Sequence, residues 1–128
     1  MRLPRWLPAL LWGALITVLL AIPGGRLPDL SWFSLDKIGH LGLFLIWAWL
    51  WAWAWEPMSK ARYGVTIALA ALWASGTEAL QAVYVPGREA EWADVLADLV
   101  GFGLGLWSYH RFECLRALLG KLFVAGRV

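Results

Sequence analysis

Four apolar stretches lie along the chain, at about residues 6–22, 38–55, 63–84 and 92–109. Each is close to the roughly 20 residues that an α-helix needs to cross a bilayer. Proline and glycine interrupt the connectors between the stretches, as at Pro86 and Gly87. The pattern predicts an all-α fold, a polytopic membrane protein built as a four-transmembrane-helix bundle, in a single domain of residues 1–128.

Two of these stretches have an alternative interpretation. Arg2 and Arg5 resemble the charged start of a signal peptide, but the residues around Pro23 make a poor cleavage site. Between Trp47 and Trp55, tryptophan alternates with Ala or Leu, a period that is typical of a strand. An isolated strand cannot satisfy its backbone hydrogen bonds in lipid, so we expect a helix there as well.

Composition narrows the class of protein. Hydrophobic residues make up 61% of the 128 residues and charged residues 16%, whereas soluble domains have about 25% charged residues. An ordinary water-soluble domain is excluded, because a chain of this length cannot bury so much apolar surface. The 11 basic residues form no single stripe, so we expect no nucleic-acid partner. Cys114 is the single cysteine, which excludes an internal disulfide.

The positions of the basic residues indicate the orientation. With the N-terminus inside, eight of the 11 basic residues lie on the cytoplasmic side, and Arg26, Lys37 and Arg88 lie outside. The positive-inside rule therefore predicts a multi-pass protein with both termini in the cytoplasm. Leucines at helical spacing between Arg111 and Lys121 predict an amphipathic cytoplasmic tail over 111–128.

Acidic residues gather on the outer side, which holds seven of the nine. Spacings of three or four residues place three polar pairs each on one helix face: Asp36 with His40, Glu78 with Gln81, and Asp94 with Asp98. At about 1.5 Å per residue, His40, Glu78 and Asp98 lie about 6–9 Å below the outer helix ends. Carboxylates are costly at that depth in a membrane, so we expect them to face one another inside the bundle.

Three further expectations concern packing and loops. Gly101 and Gly105 continue the face of the two aspartates, and small residues at this spacing let a neighbouring helix approach closely. The tryptophans from Trp47 to Trp55 cover two faces of the second helix, and we expect them to form an aromatic belt in lipid. We expect Glu89 and Glu91 to lie in a solvated loop.

The polar residues also form a recognisable series of motifs. It consists of Asp36, Lys37 and His40, then Glu78 and Gln81, then Pro86, Gly87 and Arg88, and finally Asp94, Asp98, Gly101 and Gly105. This series resembles the VanZ-like family of small bacterial membrane proteins, named after a protein associated with teicoplanin resistance. Asp98 stands where the family pattern has Asn, and Phe44 where it has Tyr. The resemblance covers residues 36–105 and implies a role at the cell envelope, in the bacterial cytoplasmic (inner) membrane.

On this basis we expect a site that binds or acts on a lipid-linked cell-envelope component at the outer leaflet, with an effect on glycopeptide susceptibility. The candidate catalytic residues are His40, Glu78, Asp94 and Asp98. The candidate substrate-binding residues are Arg88, Gln81, Asp36 and Lys37, of which Arg88 suits an anionic group. The glycopeptide itself is a second candidate ligand. We expect membrane lipids to surround the helices. Whether the protein forms an oligomer stays open.

Other functions stay open at this point. A proton-coupled transporter could use the same carboxylates, and a structural subunit of an envelope complex would use them as a satisfied hydrogen-bond network. An enzyme could use His40 and Glu78 as general acid and base, although no nucleophile stands out. We expect no metal and no other cofactor, because His110 lies at the opposite face and leaves one histidine at the site.

Overall fold

A computed structural model describes residues 3–22, 35–87 and 89–124 of the chain. Its five helices are α1 (Leu7–Leu20), α2 (Leu35–Ala54), α3 (Lys60–Tyr84), α4 (Trp92–Arg111) and α5 (Glu113–Val124). No strand occurs in these three ranges, so the all-α prediction is confirmed. α2 begins at residue 35 rather than 38, which places Asp36 and Lys37 in its first turn. α5 lies within the stretch expected to be an amphipathic tail.

Local sequence explains where α3 begins and ends. The hydroxyl of Ser59 accepts a hydrogen bond from the backbone N–H of Arg62 at 3.2 Å, which is the usual role of serine at a helix N-cap. After α3 ends, Pro86 and Gly87 form a turn. Gly87 has a φ of 79°, a conformation that glycine adopts at little cost because it has no Cβ atom. The connector is short, so α4 packs beside α3.

α2 is the central helix of the fold, and it packs against the other four. Trp47 lies in the core, where its ring contacts Trp73 at 5.5 Å and Phe102 at 5.9 Å between centroids. Trp47, Trp51 and Trp53 are each at most 8% exposed. The expected aromatic belt in lipid is therefore wrong for these three residues. The physical reason is that α2 has neighbouring helices on several sides, so its apolar faces meet protein.

α2 and α4 approach each other at the level of their backbones. A Cβ atom at Gly101 would overlap the carbonyl oxygen of Leu41, and one at Gly105 would overlap the carbonyl oxygen of Leu45. The close approach expected from the two glycines is therefore confirmed. This contact holds the polar residues of α2 and α4 at a fixed separation.

Polar contacts around Glu56 connect several helices at the end of the fold where α2 ends, away from Asp36 and Lys37 in its first turn. The Tyr109 hydroxyl donates to Glu56 Oε2 at 3.1 Å, and the guanidinium groups of Arg5 and Arg116 lie 3.9 and 3.7 Å from the same carboxylate. Arg5 also donates to the carbonyl oxygen of Trp53 at 2.7 Å. Glu56 thus links the segment before α1 to α4 and α5.

Large apolar side chains are exposed on α1, α3 and α4. Those that are more than half exposed include Leu11 and Val18 on α1, Leu72 and Val83 on α3, and Val100 and Trp107 on α4. Within the described ranges, no helix combines the length and the apolar character that crossing a membrane requires. The four membrane spans therefore stay a prediction.

Candidate functional site

A buried histidine–aspartate pair lies at the centre of the site. Nδ1 of His40 on α2 and Oδ1 of Asp98 on α4 are 2.9 Å apart, and neither side chain is exposed. An ionised carboxylate can only accept a hydrogen bond, so the tautomer that fits has its proton on Nδ1 and a lone pair on Nε2. Within the described ranges, His40 Nε2 and Asp98 Oδ2 have no hydrogen-bond partner.

Lys37 joins the start of α2 to the start of α4. Its ammonium group donates to Asp94 Oδ1 and to Glu91 Oε2, each at 2.8 Å. Asp94 is buried, whereas the side chain of Glu91 is largely exposed. These hydrogen bonds raise the pKa of Lys37, which lies before the predicted span 38–55, above its ordinary value. Lys37 therefore stays charged and balances part of the negative charge of the site.

Glu78 adds a third helix to the site. Its Oε2 accepts a hydrogen bond from the backbone N–H of Glu91 at 3.1 Å. Its Oε1 is buried and has no hydrogen-bond partner within the described part of the chain. One oxygen of Glu78 thus holds the connector that leads into α4, and the other can accept a hydrogen bond from a ligand.

Two aspartates, Asp36 and Asp94, lie near the ring of His40. Asp36 lies one turn earlier on α2, with its Oδ1 4.0 Å from His40 Nε2. One ligand atom from each of Asp36, His40 and Asp94 can be chosen so that all three lie within 4.8 Å of one another. These three residues could hold a metal ion.

Gln81 has a different environment from the other candidates. Its amide group donates to the carbonyl oxygen of Leu20, at the end of α1, at 2.6 Å. Beside it lies an apolar groove of about 160 Å³ between α1 and α3, with Leu20, Leu80 and Val85 in its walls. The polar residues described above are called the polar cluster; they are Asp36, Lys37, His40, Glu78, Glu91, Asp94 and Asp98. Glu78 and Gln81 are neighbours on α3, so the groove adjoins the polar cluster.

Arg88 lies outside the described residues. It follows the turn at Pro86 and Gly87. Glu91, three residues further, is in contact with both Lys37 and Glu78. The role of Arg88 in binding an anionic group stays a prediction.

Glu91 is a member of the cluster that the sequence pattern did not indicate. As expected, Glu91 lies in the connector before α4 with a largely exposed side chain, but its carboxylate also pairs with Lys37 and its backbone N–H binds Glu78. A signal for this was present in the spacing. Glu91 directly precedes α4 and stands three residues before Asp94, so both carboxylates lie on one side of the helix start.

A family model matches nearly the whole of the described fold. The model of the VanZ/LLP1 family matches residues 6–115. The chain belongs to this family. The match spans α1 to α4 and the start of α5, so every residue of the polar cluster lies within the VanZ/LLP1 region. No curated protein and no solved structure matches the chain.

Proposed function

We propose that the protein is a multi-pass protein of the bacterial cytoplasmic membrane that binds a lipid-linked, anionic component of the cell envelope at the outer surface. The polar cluster of α2, α3 and α4 receives the headgroup, and the groove between α1 and α3 receives the apolar chain. One observation carries the proposal. On α3, Glu78 belongs to the polar cluster, while Gln81, less than one turn later, lines the apolar groove.

Exposed apolar surface supports the membrane location. Leu72 and Val83 on α3 are each 72% exposed, and other helices carry similar side chains. Large apolar side chains exposed in this number are unfavourable in water and favour a surface that meets lipid or protein. Family membership and the unequal distribution of basic residues agree with a membrane protein whose termini lie in the cytoplasm.

Polar atoms without partners support ligand binding at the cluster. His40 Nε2, Glu78 Oε1 and Asp98 Oδ2 are buried and make no hydrogen bond within the described ranges. Native proteins leave few such atoms unpaired, and because all three are acceptors here, O–H or N–H groups of a headgroup would supply the missing donors. The ammonium group of Lys37, together with the guanidinium expected from Arg88, favours an anionic headgroup.

The proposal is tested by titrating the full chain, in nanodiscs, with a polyprenyl phosphate and with the polyprenol of the same chain length. We expect saturable binding of the phosphate that is at least about tenfold tighter than that of the alcohol, since one charge-assisted hydrogen bond contributes about 1.5–3 kcal/mol. Equal affinity for the two compounds, or binding that does not saturate, would contradict the proposal.

Two matched substitutions on α3 test the groove. Leu80→Trp places a larger side chain in the groove wall, so it should weaken binding of the polyprenyl phosphate about tenfold or more. Leu72→Trp makes the same change at a more exposed position that does not line the groove, and its affinity should equal that of the wild type. If both variants bind like the wild type, the chain does not occupy this groove.

A further inference from the structure

We propose that Asp36, His40 and Asp94 bind a divalent transition-metal ion. This inference goes beyond the proposed binding of a lipid-linked compound and does not depend on it. It rests on the geometry of one histidine nitrogen and on the carboxylates that surround it.

His40 is oriented as metal-binding histidines are oriented. In such sites the ring nitrogen that does not bind the metal usually donates to a carboxylate, which fixes both the tautomer and the ring plane. Asp98 provides this carboxylate at 2.9 Å from Nδ1, and neither side chain is exposed. The opposite nitrogen, Nε2, is buried without a hydrogen-bond partner in the described part of the chain. In the tautomer with its proton on Nδ1, Nε2 carries a lone pair, and Asp36 Oδ1 lies 4.0 Å from it.

The carboxylates lie close enough to complete the site. Asp36 Oδ1 is 4.0 Å from His40 Nε2, and ligand atoms of Asp36, His40 and Asp94 lie within 4.8 Å of one another. Ligand atoms at about 2.1 Å from an ion lie roughly 3–4 Å apart, so the side chains need to close by about 1 Å. Asp36 and His40 are already aligned by their spacing on α2, and α4 is held against α2 at Gly101.

The donor set determines which ions fit. One imidazole nitrogen with two carboxylate oxygens suits Zn²⁺ or Mn²⁺ better than Ca²⁺, which prefers oxygen ligands alone. The expectation that no metal binds rests on the single histidine of the site. The two carboxylates can take the place of further histidines as ligands, and they also supply negative charge. Three protein ligands leave at least one coordination position for water or for an anionic ligand.

Without an ion, the ammonium group of Lys37 contacts Asp94, one of the three proposed ligands. Its ammonium group is 2.8 Å from Asp94 Oδ1 and from Glu91 Oε2. Glu91 therefore gives Lys37 a second anionic partner when Asp94 turns an oxygen toward the ion. Lys37 thus keeps one anionic partner when its hydrogen bond to Asp94 is lost.

The experiment uses the full chain in detergent, freed of metal with a chelator. It carries Cys114→Ser, because an exposed thiol is itself a potential zinc ligand outside the proposed site. Zn²⁺ and Mn²⁺ are titrated separately by calorimetry. We expect one equivalent of each ion per chain. Asp36→Asn, at a partly exposed position, should weaken binding at least about 100-fold, and Asp98→Asn should weaken it about 10–100-fold.

Glu89→Gln is the matched control, because it removes one nearby negative charge at an exposed residue outside the ligand set. Its affinity should stay within about threefold of the parent chain. Circular dichroism of each variant separates lost binding from lost folding, and His40→Gln serves as a second ligand variant. The proposal is overturned if the parent chain shows no saturable binding, or if Asp36→Asn and His40→Gln, both folded, bind as it does. Titration with polyprenyl phosphate in the presence of chelator remains an independent test of the proposed function.

Discussion

Asp98 shows how one residue orients another in this site. The family pattern has Asn where this chain has Asp98, yet both side chains carry an oxygen that can accept from His40 Nδ1. The difference lies in charge, because a buried carboxylate favours the tautomer with the proton on Nδ1 and strengthens the hydrogen bond. Asp98 is thus a positioning residue for His40.

A pair of substitutions at Asp98 measures this role. Asp98→Ala leaves His40 Nδ1 buried without an acceptor and should lower the free energy of unfolding by about 1–3 kcal/mol. Asp98→Asn keeps the volume and one acceptor oxygen, so its loss should be smaller. Thermal unfolding in detergent provides the measurement. Equal melting temperatures for the two variants would show that the hydrogen bond does not stabilise the fold.

The proposed function makes a second prediction for individual residues. Glu78→Gln and Arg88→Ala should each abolish the protein's effect on growth in the presence of a glycopeptide antibiotic, while membrane abundance stays near that of the wild type. Glu113→Gln, at an exposed residue on α5, is the control and should retain the effect. Disappearance of both variants from the membrane would instead indicate that the two side chains only support folding.

At the level of helices, hydropathy was sufficient to locate α1 to α4, because long apolar stretches and proline- or glycine-rich connectors mark helices of any environment. Helix spacing was also sufficient to bring His40 and Asp98 together. The direction in which an apolar face points was not predictable. Trp47 and Trp51 are apolar whether they meet lipid or other helices, and only the contacts of α2 decide between the two.

Glu91 illustrates a second limit of the sequence. From hydropathy, a charged residue in a connector is expected to be exposed to water, and the side chain of Glu91 is largely exposed. Its backbone N–H and its carboxylate nevertheless bind Glu78 on α3 and Lys37 on α2. Such contacts depend on how three helices are placed in space, which no local pattern specifies.

The contact between α2 and α4 leads to a prediction for whole helices. Gly105→Leu should lower the free energy of unfolding by about 1–3 kcal/mol or more, since the new side chain would push against the backbone of Leu45 and against Ala48. Gly103→Leu lies on the same helix, where an added Cβ meets nothing within 4 Å. It should be neutral or stabilising, because glycine is a poor helix former.

Aggregation temperature in detergent distinguishes these two variants. The prediction requires a lower temperature for Gly105→Leu than for both the wild type and Gly103→Leu. It also requires a larger loss than that of Glu78→Gln, which changes charge with almost no change in volume. If Gly105→Leu melts with the wild type, the backbone contact is not needed for stability.

In the whole molecule, the two ends of the fold have different chemistry. One end holds the cluster of His40, Asp98 and their neighbours, where buried polar atoms have no hydrogen-bond partner among the residues that the structure describes. The other end holds Glu56, whose carboxylate is engaged by Tyr109, Arg5 and Arg116. The first end is suited to a ligand and the second to holding helices together. Which end faces outward depends on the predicted orientation.

Cysteine labelling in intact cells tests that orientation. Cys114 is exposed at the start of α5, on the side predicted to be cytoplasmic. A membrane-impermeant maleimide should therefore label it only after permeabilisation. In a Cys114→Ser background, Glu89→Cys should react in intact cells, because it lies in the connector between α3 and α4. Labelling of Cys114 alone in intact cells would place the polar cluster on the cytoplasmic side.

The backbone contact at Gly101 and Gly105 also limits how a ligand can enter. No layer of side chains separates α2 from α4 there, so the two helices can neither slide nor tilt apart without losing the contact. α1 and α3 contact each other much less, and a side chain, Gln81, spans the gap to the Leu20 carbonyl. We therefore expect a ligand that enters between helices to separate α1 from α3 rather than α2 from α4, and exchange of backbone amide protons for deuterium should be faster at that opening than along α2 and α4.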